Sequence, residues 1–172
     1  MLISSSKLYE LALSSIKERH INDFLEKYIP GILPILTEYG GRFLINGSIQ
    51  HSVTMKFPAR AFALLEWPSI DQFIAINKDE RMRPLLELRN QYLDFILEGC
   101  FYGVSKDRDF EIPEKRAMRL LLSDRSILHN RGIRFQWIND ARNSRLSSNL
   151  YFFSDLTEHY DKDVEEFSVL IR

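Results

Sequence analysis

Apolar residues occupy both alternating sets of positions along residues 7–16. Because successive side chains of a strand point to opposite faces, this pattern predicts a strand that is apolar on both faces. Along residues 21–39 the apolar positions instead recur at the three- and four-residue intervals of one helix face. Pro30 and Pro34 lie inside this predicted helix and each removes a backbone donor, so we expect a kink near residues 28–31.

The next apolar runs predict two more strands, a second helix and a closing strand. Residues 42–47 and 59–67 have the composition of strands and are joined by a polar loop. Ser69 is a candidate N-cap for the second helix, which we expect to break near residues 77–84. Residues 98–104 are predicted to form the fourth strand.

The predicted order β, α, β, β, α, β is the split βαβ plan, in which both helices cover one face of an antiparallel sheet. An isolated copy should be polar on its other face, yet the predicted strands are apolar on both. The sequence therefore predicts an α+β, ferredoxin-like βαββαβ domain over residues 1–105. We expect its far sheet face to be covered, by a partner chain or by the rest of this chain.

Residues 106–172 are predicted to form a C-terminal α+β extension. Three short runs have strand character, at residues 116–122, 133–138 and 149–153. A short helix is predicted between the first two of these runs. Asp155 and Glu158 have the spacing of a capping box, which predicts a final helix with an apolar stripe reaching Ile171. The order β, α, β, β, α suggests a degenerate second copy of the first unit that lacks its last strand.

Short motifs along residues 7–104 allow a comparison with a known family. They are Tyr28-Ile29-Pro30, Tyr39-Gly40-Gly41-Arg42, Phe57-Pro58-Ala59-Arg60, Glu66-Trp67-Pro68-Ser69, Arg89 and Glu98-Gly99. With these motifs the chain resembles the DUF1330 family of the dimeric α/β barrel superfamily, in which two ferredoxin-like sheets face each other. The resemblance implies a homodimer and a cavity, either between the helix layer and the sheet or between the sheets. It implies no particular reaction, although the superfamily includes cofactor-free monooxygenases.

Composition limits the classes of function. The chain has 23 basic and 24 acidic side chains and a formal net charge of -1, so the whole molecule exerts no long-range attraction on nucleic acid or anionic lipid. The single cysteine, Cys100, excludes an internal disulfide framework and a multi-cysteine metal site. No apolar run approaches the roughly 20 residues of a membrane span. We therefore expect a cytoplasmic protein with no membrane partner, metal or cofactor.

Polar and aromatic residues near the second and third strands form the candidate ligand site. Alternation places Arg42 with Asn46 on one strand and Arg60 with Glu66 on its neighbour. If these faces meet, two guanidinium groups and a carboxylate could orient a planar carboxylate or enolate. The alternative is an ion pair that supports packing. With two aromatic side chains added, the candidate ligand-binding residues are Tyr39, Arg42, Asn46, Arg60, Glu66 and Trp67.

No catalytic signature accompanies this cluster, so the sequence leaves open whether the protein is an enzyme. His20 and His51 lie in polar connections or helix starts, and no histidine pair has the spacing of a metal ligand set. Cys100 lies in an apolar strand, which favours a packing role over a nucleophilic one.

A local excess of arginine along residues 115–145, interleaved with Phe135 and Trp137, could grip a phosphate backbone. Acidic residues between 155 and 166 could neutralise it, so nucleic acid is the least favoured partner. The leading hypothesis is a homodimeric domain that binds or transforms a small molecule, without a cofactor, with its ligand inside the barrel near Arg42, Arg60 and Trp67. The main alternative is a non-catalytic homo-oligomeric module whose barrel interior is filled.

Overall fold

The computed structural model describes residues 1–52, 57–111, 117–123, 132–140, 149–153 and 165–171. Within these ranges eight strands form a closed antiparallel barrel. Its strands are β2 (Leu8–Ile16), β3 (Arg42–Ser52), β4 (Ala61–Trp67), β5 (Leu93–Gly103), β7 (Ala117–Ser123), β8 (Gly132–Asp140), β9 (Asn149–Phe153) and β10 (Glu165–Ile171). A separate two-stranded ribbon pairs β1 (Leu2–Ile3) with β6 (Arg108–Asp109).

Helices lie against the outer face of the first four barrel strands. In the described part of the chain they are α1 (Ile29–Glu38), α2 (Ile70–Ile76) and α3 (Met82–Tyr92). The chain enters α1 through a 3₁₀ turn (Glu18–His20), a short α turn (Ile21–Asp23) and a π-helical turn (Phe24–Tyr28). We name residues 18–28 the cover segment.

Of the two irregularities predicted for the helices, the break in the second helix is confirmed, and the region of the predicted kink contains a change of helix type. The π-helical turn changes to α-helix after Tyr28, at the edge of the region where the kink was predicted, and Pro30 lies in the first turn of α1. The second helix breaks between Ile76 and Met82. Strand β5 begins at Leu93, earlier than the predicted closing strand.

The two halves of the barrel have the same strand order. It is β3-β4-β2-β5 in the first half and β8-β9-β7-β10 in the second, which is the ferredoxin-like order in both. The pairs β5–β8 and β10–β3 join the halves and close the barrel. The far face of the first sheet is thus covered by strands of the same chain, one of the two predicted alternatives.

The prediction of a helix up to Ile171 was wrong for residues 165–171, which form β10. This strand pairs on both sides, with Phe167 opposite Leu120 of β7 and Ser52 of β3. Backbone hydrogen bonds to β3 on one edge and to β7 on the other pair the N–H and C=O groups of β10. This tertiary pairing overrides the helical spacing of the apolar residues in the strand. The second half therefore has the last strand that the prediction left out. The start of that predicted helix and the predicted helix before β8 lie outside the described residues.

Apolar side chains from both halves fill the barrel interior. Tyr9 meets Phe135 edge to face with ring centroids 5.1 Å apart, and Phe62 lies 6.0 Å from Phe152. Cys100 is a buried free thiol in the same core. The interior is a packing core, which corrects the expectation of a ligand inside the barrel.

A second apolar cluster packs the helices onto the outer face of the first half-sheet. Its buried members are Ile35, Leu36, Leu65, Trp67, Phe73, Ile76, Met82 and Phe101. Phe73 of α2 makes edge-to-face contacts with Trp67 at 5.4 Å and with Phe101 at 4.9 Å.

No helix in the described ranges is long and apolar enough to cross a membrane.

Candidate functional site

Small side chains form the floor of a cavity on the outer face of the first half-sheet. Ala12 and Ser14 of β2 lie opposite Ala63 and Ala61 of β4, and all four line the cavity. Side chains this short leave space beneath the helical layer that crosses them. The cavity has a volume of about 500 Å³.

The cover segment and α3 form the roof of this cavity. Phe24, Leu25 and Tyr28 of the π-helical turn line it, together with Leu86 and Arg89 of α3. Helical turns of this wide type occur mostly as single insertions and are frequent at functional sites. The roof over the small-residue floor is therefore an irregular helix rather than a continuous packed one.

Polar groups frame the floor on several sides. Asn46 and Ser48 of β3 lie opposite the alanines of β4, and Glu98 of β5 lines the cavity on the β2 side. Glu10 precedes Ala12 on the same face of β2. Arg60 lines the opposite end, which is open to solvent.

Glu10 is a carboxylate in the middle of an apolar strand, and it is only 3% exposed. Its Oε2 accepts a hydrogen bond from Nε1 of Trp67 at 2.8 Å, and its Oε1 accepts one from the amide of Gly99, also at 2.8 Å. Gly99 has a φ of 80° and lies at a bulge in the pairing of β2 with β5. A bulge frees a backbone amide from the ladder, and a glycine adopts this φ without strain.

Arg89 and Glu98 form an ion pair close to Glu10. Nη1 of Arg89 donates to Oε2 of Glu98 at 2.7 Å, and Nη2 donates to Oδ1 of Asn90 at 3.3 Å. Tyr28 lies within electrostatic range of all three charged groups. Burial raises the pKa of Tyr28 to about 12, while the nearby Arg89 acts in the opposite direction. The phenol of Tyr28 is therefore protonated at neutral pH and can donate a hydrogen bond.

Three of the six predicted ligand-binding residues line this cavity: Asn46, Arg60 and Trp67. The guanidinium of Arg60 pairs with Oε1 of Glu18 at 3.1 Å, and both side chains are exposed at the rim. Trp67 is buried and acts through its indole N–H on Glu10.

The other three, Tyr39, Arg42 and Glu66, are not lining residues of the cavity. Arg42 makes a two-pronged ion pair with Glu66, with Nε to Oε1 at 2.9 Å and Nη2 to Oε2 at 3.2 Å. The O–H of Tyr39 donates to Oδ2 of Asp79 at 3.1 Å, which ties the end of α1 to the loop before α3.

The predicted convergence of Arg42 and Arg60 on one anion does not form. The pairing of β3 with β4 shifts register between Phe43 and Ile45, so Arg42 and Asn46 do not share a face as strict alternation requires. Arg42 instead forms an ion pair with Glu66, as the alternative interpretation predicted.

Sequence reasoning did not propose Glu10 as a site residue. The available signal was a carboxylate flanked by Tyr9 and Leu11 in a strand that is apolar on both faces. Such a group needs hydrogen-bond partners when it is buried. Arg89 and Glu98 were noted only as parts of motifs, because their pairing depends on contact between α3 and β5.

The basic stretch at residues 115–145 lies partly within the described ranges. Arg119 is buried on β7, and Arg134 is exposed with its guanidinium 5.9 Å from the ring centre of Tyr151. Phe135 is buried in the barrel core. The ring of Phe135 therefore does not lie on a surface that could bind nucleic acid. The remaining basic residues of the stretch lie outside the described residues: Lys115, Arg116, Arg125, Arg131, Arg142 and Arg145.

Comparison with known proteins supports the fold. No family model matches the chain, and no curated protein matches it. The crystal structure of a putative monooxygenase from Lactobacillus acidophilus NCFM is 8% identical with a TM-score of 0.54, covering 96% of this chain and 94% of that chain. A mutant chlorite dismutase from Candidatus Nitrospira defluvii is 6% identical with a TM-score of 0.51, covering 96% and 92%.

Both of these structures belong to the dimeric α/β barrel superfamily. At such low identity the likeness shows the fold alone. This chain has the ferredoxin-like, dimeric α/β barrel fold, with the strands of both half-barrels supplied by one polypeptide.

Proposed function

We propose that this protein binds a small, largely apolar molecule in the cavity above Ala12 and Ala63. The observation that carries the proposal is the floor of four small side chains, which stay half-buried on a sheet face that helices cover. Protein interiors are normally packed as densely as organic crystals, so a space of this size needs a reason. Its volume of about 500 Å³ lies within the roughly 300–1,000 Å³ typical of ligand sites.

The lining of the cavity also has the composition of a ligand site. Its walls are mostly aliphatic and aromatic, and polar groups are concentrated at one buried end around Glu10 and at the rim around Arg60. Few, well-placed polar groups on an apolar wall orient a ligand and give specificity. A homo-oligomeric module without a ligand would have no need of this arrangement.

The resemblance to the DUF1330 family remains a prediction, since no family model matches the chain. Three of the motifs that carry the resemblance meet around Glu10: Trp67 and Gly99 donate hydrogen bonds to it, and Arg89 with Glu98 pairs beside it. Motif residues that are far apart in sequence thus serve one buried polar cluster.

The proposal is tested by filling the cavity. In the variant Ala63→Leu a larger side chain rises from the floor, so we expect the affinity for the neutral fluorescent probe N-phenyl-1-naphthylamine to fall by about tenfold or more. The matched control is Ala75→Leu, since Ala75 is a half-buried residue of α2 that does not line the cavity.

Binding is measured by the saturable rise in probe fluorescence, with thermal unfolding followed in parallel to show that each variant is folded. Ala12→Leu provides a second variant on the neighbouring strand. Absence of saturable binding to the unmodified protein, or equal affinities in the floor variants and the control, would contradict the proposal.

A further inference from the structure

We infer that the ligand of this cavity carries a carbonyl oxygen, which enters the buried end and accepts hydrogen bonds from Arg89 and Tyr28. This inference rests on the proposed function and concerns the same site. It starts from the hydrogen-bond donors and acceptors at that end of the cavity, and from which of them are already in use.

The carboxylate acceptors at the buried end are engaged. Oε1 of Glu10 accepts a hydrogen bond from the amide of Gly99, and Oε2 accepts one from Nε1 of Trp67, both at 2.8 Å. Oε2 of Glu98 accepts from Nη1 of Arg89 at 2.7 Å. A ligand group that brings only donors would have to share oxygens that already accept a hydrogen bond.

One donor at the same end is not engaged. Nε of Arg89 is buried and has no hydrogen-bond partner among the described residues, while Nη1 and Nη2 donate to Glu98 and to Asn90. The Arg89 side chain is only 9% exposed and lines the cavity. A buried donor on a charged group costs free energy while it stays unpaired, so Nε favours an acceptor supplied by the ligand.

The hydroxyl group of Tyr28 is a second donor beside Arg89. Tyr28 is buried, lines the cavity and lies next to the guanidinium of Arg89. Its phenol keeps its proton at neutral pH, because burial raises the pKa of Tyr28 to about 12. A guanidinium group has no acceptor atom, so the O–H of Tyr28 cannot donate to Arg89 and can be directed to a ligand.

A carbonyl oxygen matches this pair of donors. It has two lone pairs and no proton of its own, so it can accept from Tyr28 and from Nε of Arg89 at once. The bonds of Arg89 to Glu98 and Asn90 use its other two nitrogens and stay in place. Nε is covered by neighbouring atoms, so the side chains around it must shift as the ligand oxygen enters.

The test compares three ligands with a naphthalene body at neutral pH. They are the ketone 1-acetylnaphthalene, the carboxylate 1-naphthoate, and the hydrocarbon 1-ethylnaphthalene, in which a methylene group replaces the carbonyl group of the ketone. Affinities are measured by displacement of N-phenyl-1-naphthylamine. The ratio of the affinity for a carbonyl ligand to the affinity for the hydrocarbon is the carbonyl preference of each protein variant.

Two variants each remove one donor. Tyr28→Phe lacks the hydroxyl group, and Arg89→Lys keeps a positive charge for Glu98 but lacks the Nε donor. We expect the carbonyl preference to fall by about fivefold in Tyr28→Phe and by about tenfold or more in Arg89→Lys, because hydrogen bonds from charged donors contribute more. The affinity for 1-ethylnaphthalene should change little in either variant.

Tyr39→Phe and Arg83→Lys are the matched controls. They make the same atomic changes in residues that do not line the cavity, so both should leave the carbonyl preference unchanged. Thermal unfolding shows whether each variant is folded. If Arg89→Lys does not fold, Tyr28→Phe decides the test by itself.

The outcomes separate this inference from the proposed function. If 1-ethylnaphthalene binds and Ala63→Leu blocks it, but the folded donor variants keep the carbonyl preference, the cavity binds ligands and the inference of a carbonyl group is overturned. A loss confined to the ketone or to 1-naphthoate supports the inference and shows whether the carbonyl group is neutral or charged. If neither 1-ethylnaphthalene nor the fluorescent probe binds to the unmodified protein, the proposed function fails and this inference fails with it.

Discussion

Two ion pairs of the same residue types show how burial changes the contribution of a single contact. Arg89 and Glu98 approach to 2.7 Å with side chains only 9% and 14% exposed. Arg83 and Glu87 approach to 3.4 Å with side chains 85% and 64% exposed. An exposed pair gains little over solvation by water, whereas removal of one partner from a buried pair leaves a charge without water or counter-ion.

At the residue scale we therefore predict that Arg89→Met lowers the free energy of unfolding by about 3 kcal/mol or more, because Glu98 loses its buried counter-ion. Arg83→Met, the matched control, should leave stability almost unchanged. Urea unfolding followed by circular dichroism measures both. The double variant Arg89→Met with Glu98→Leu should recover part of the loss, and equal stabilities for Arg89→Met and Arg83→Met would refute the assignment.

Residue-scale chemistry also explains the Glu-Gly motif. Gly99 combines a left-handed backbone with an amide that donates to Glu10, and Glu98 beside it holds Arg89. The dipeptide thus positions the carboxylates of Glu10 and Glu98 at the buried end of the proposed ligand cavity.

At the element scale, α2 depends on its first turn because the helix has only seven residues. Ser69 adopts extended backbone geometry, and its side chain accepts a hydrogen bond from the amide of Gln72 at 3.3 Å. This confirms the N-cap that the sequence predicted. The helix places Phe73 against Trp67, so its start helps to position the indole that donates to Glu10.

We predict that Ser69→Ala destabilises the protein by about 1 kcal/mol, since an amide at the helix start loses its acceptor. Ser69→Asp should retain most of the stability, because a carboxylate also caps and favours the helix N-terminus. Thermal and urea unfolding of the three proteins provide the comparison. A loss as large in Ser69→Asp as in Ser69→Ala would show that the cap is not the cause.

At the scale of the whole molecule, closure within one chain changes what the resemblance to a homodimeric family implies. The strands of the second half cover the apolar face that would otherwise need a partner. They also pair with both edges of the first sheet, through β10 on β3 and β8 on β5. Barrel formation therefore does not require a second copy of the chain.

We predict that a truncated chain of residues 1–105 self-associates, because truncation exposes both sheet edges and the apolar barrel face. Light scattering at matched concentrations gives the solution mass of the truncated chain and of the full-length chain, and each is compared with the mass of a single chain. Binding of the fluorescent probe to the cavity is the control for the full-length protein. A truncated chain that remains a stable, folded monomer would contradict the prediction.

The sequence by itself determined most elements of the first hundred residues. Local periodicity located β2, α1 and the first part of β3, and a capping serine marked the start of α2. These features depend on neighbours within a few positions along the chain, so the sequence contains the required information. The same reasoning predicted that the far face of the sheet is covered.

Only the tertiary structure decided which chain covers that face, and where a ligand could bind. Residues 165–171 become a strand because two edges are available to pair with them, and the register shift between Phe43 and Ile45 separates Arg42 from Asn46. The cavity exists because helices cross over four small side chains, and Glu10, Arg89 and Glu98 meet only when α3 packs on β5. The physical reason is that these features arise from contacts between residues distant in sequence, which local periodicity does not encode.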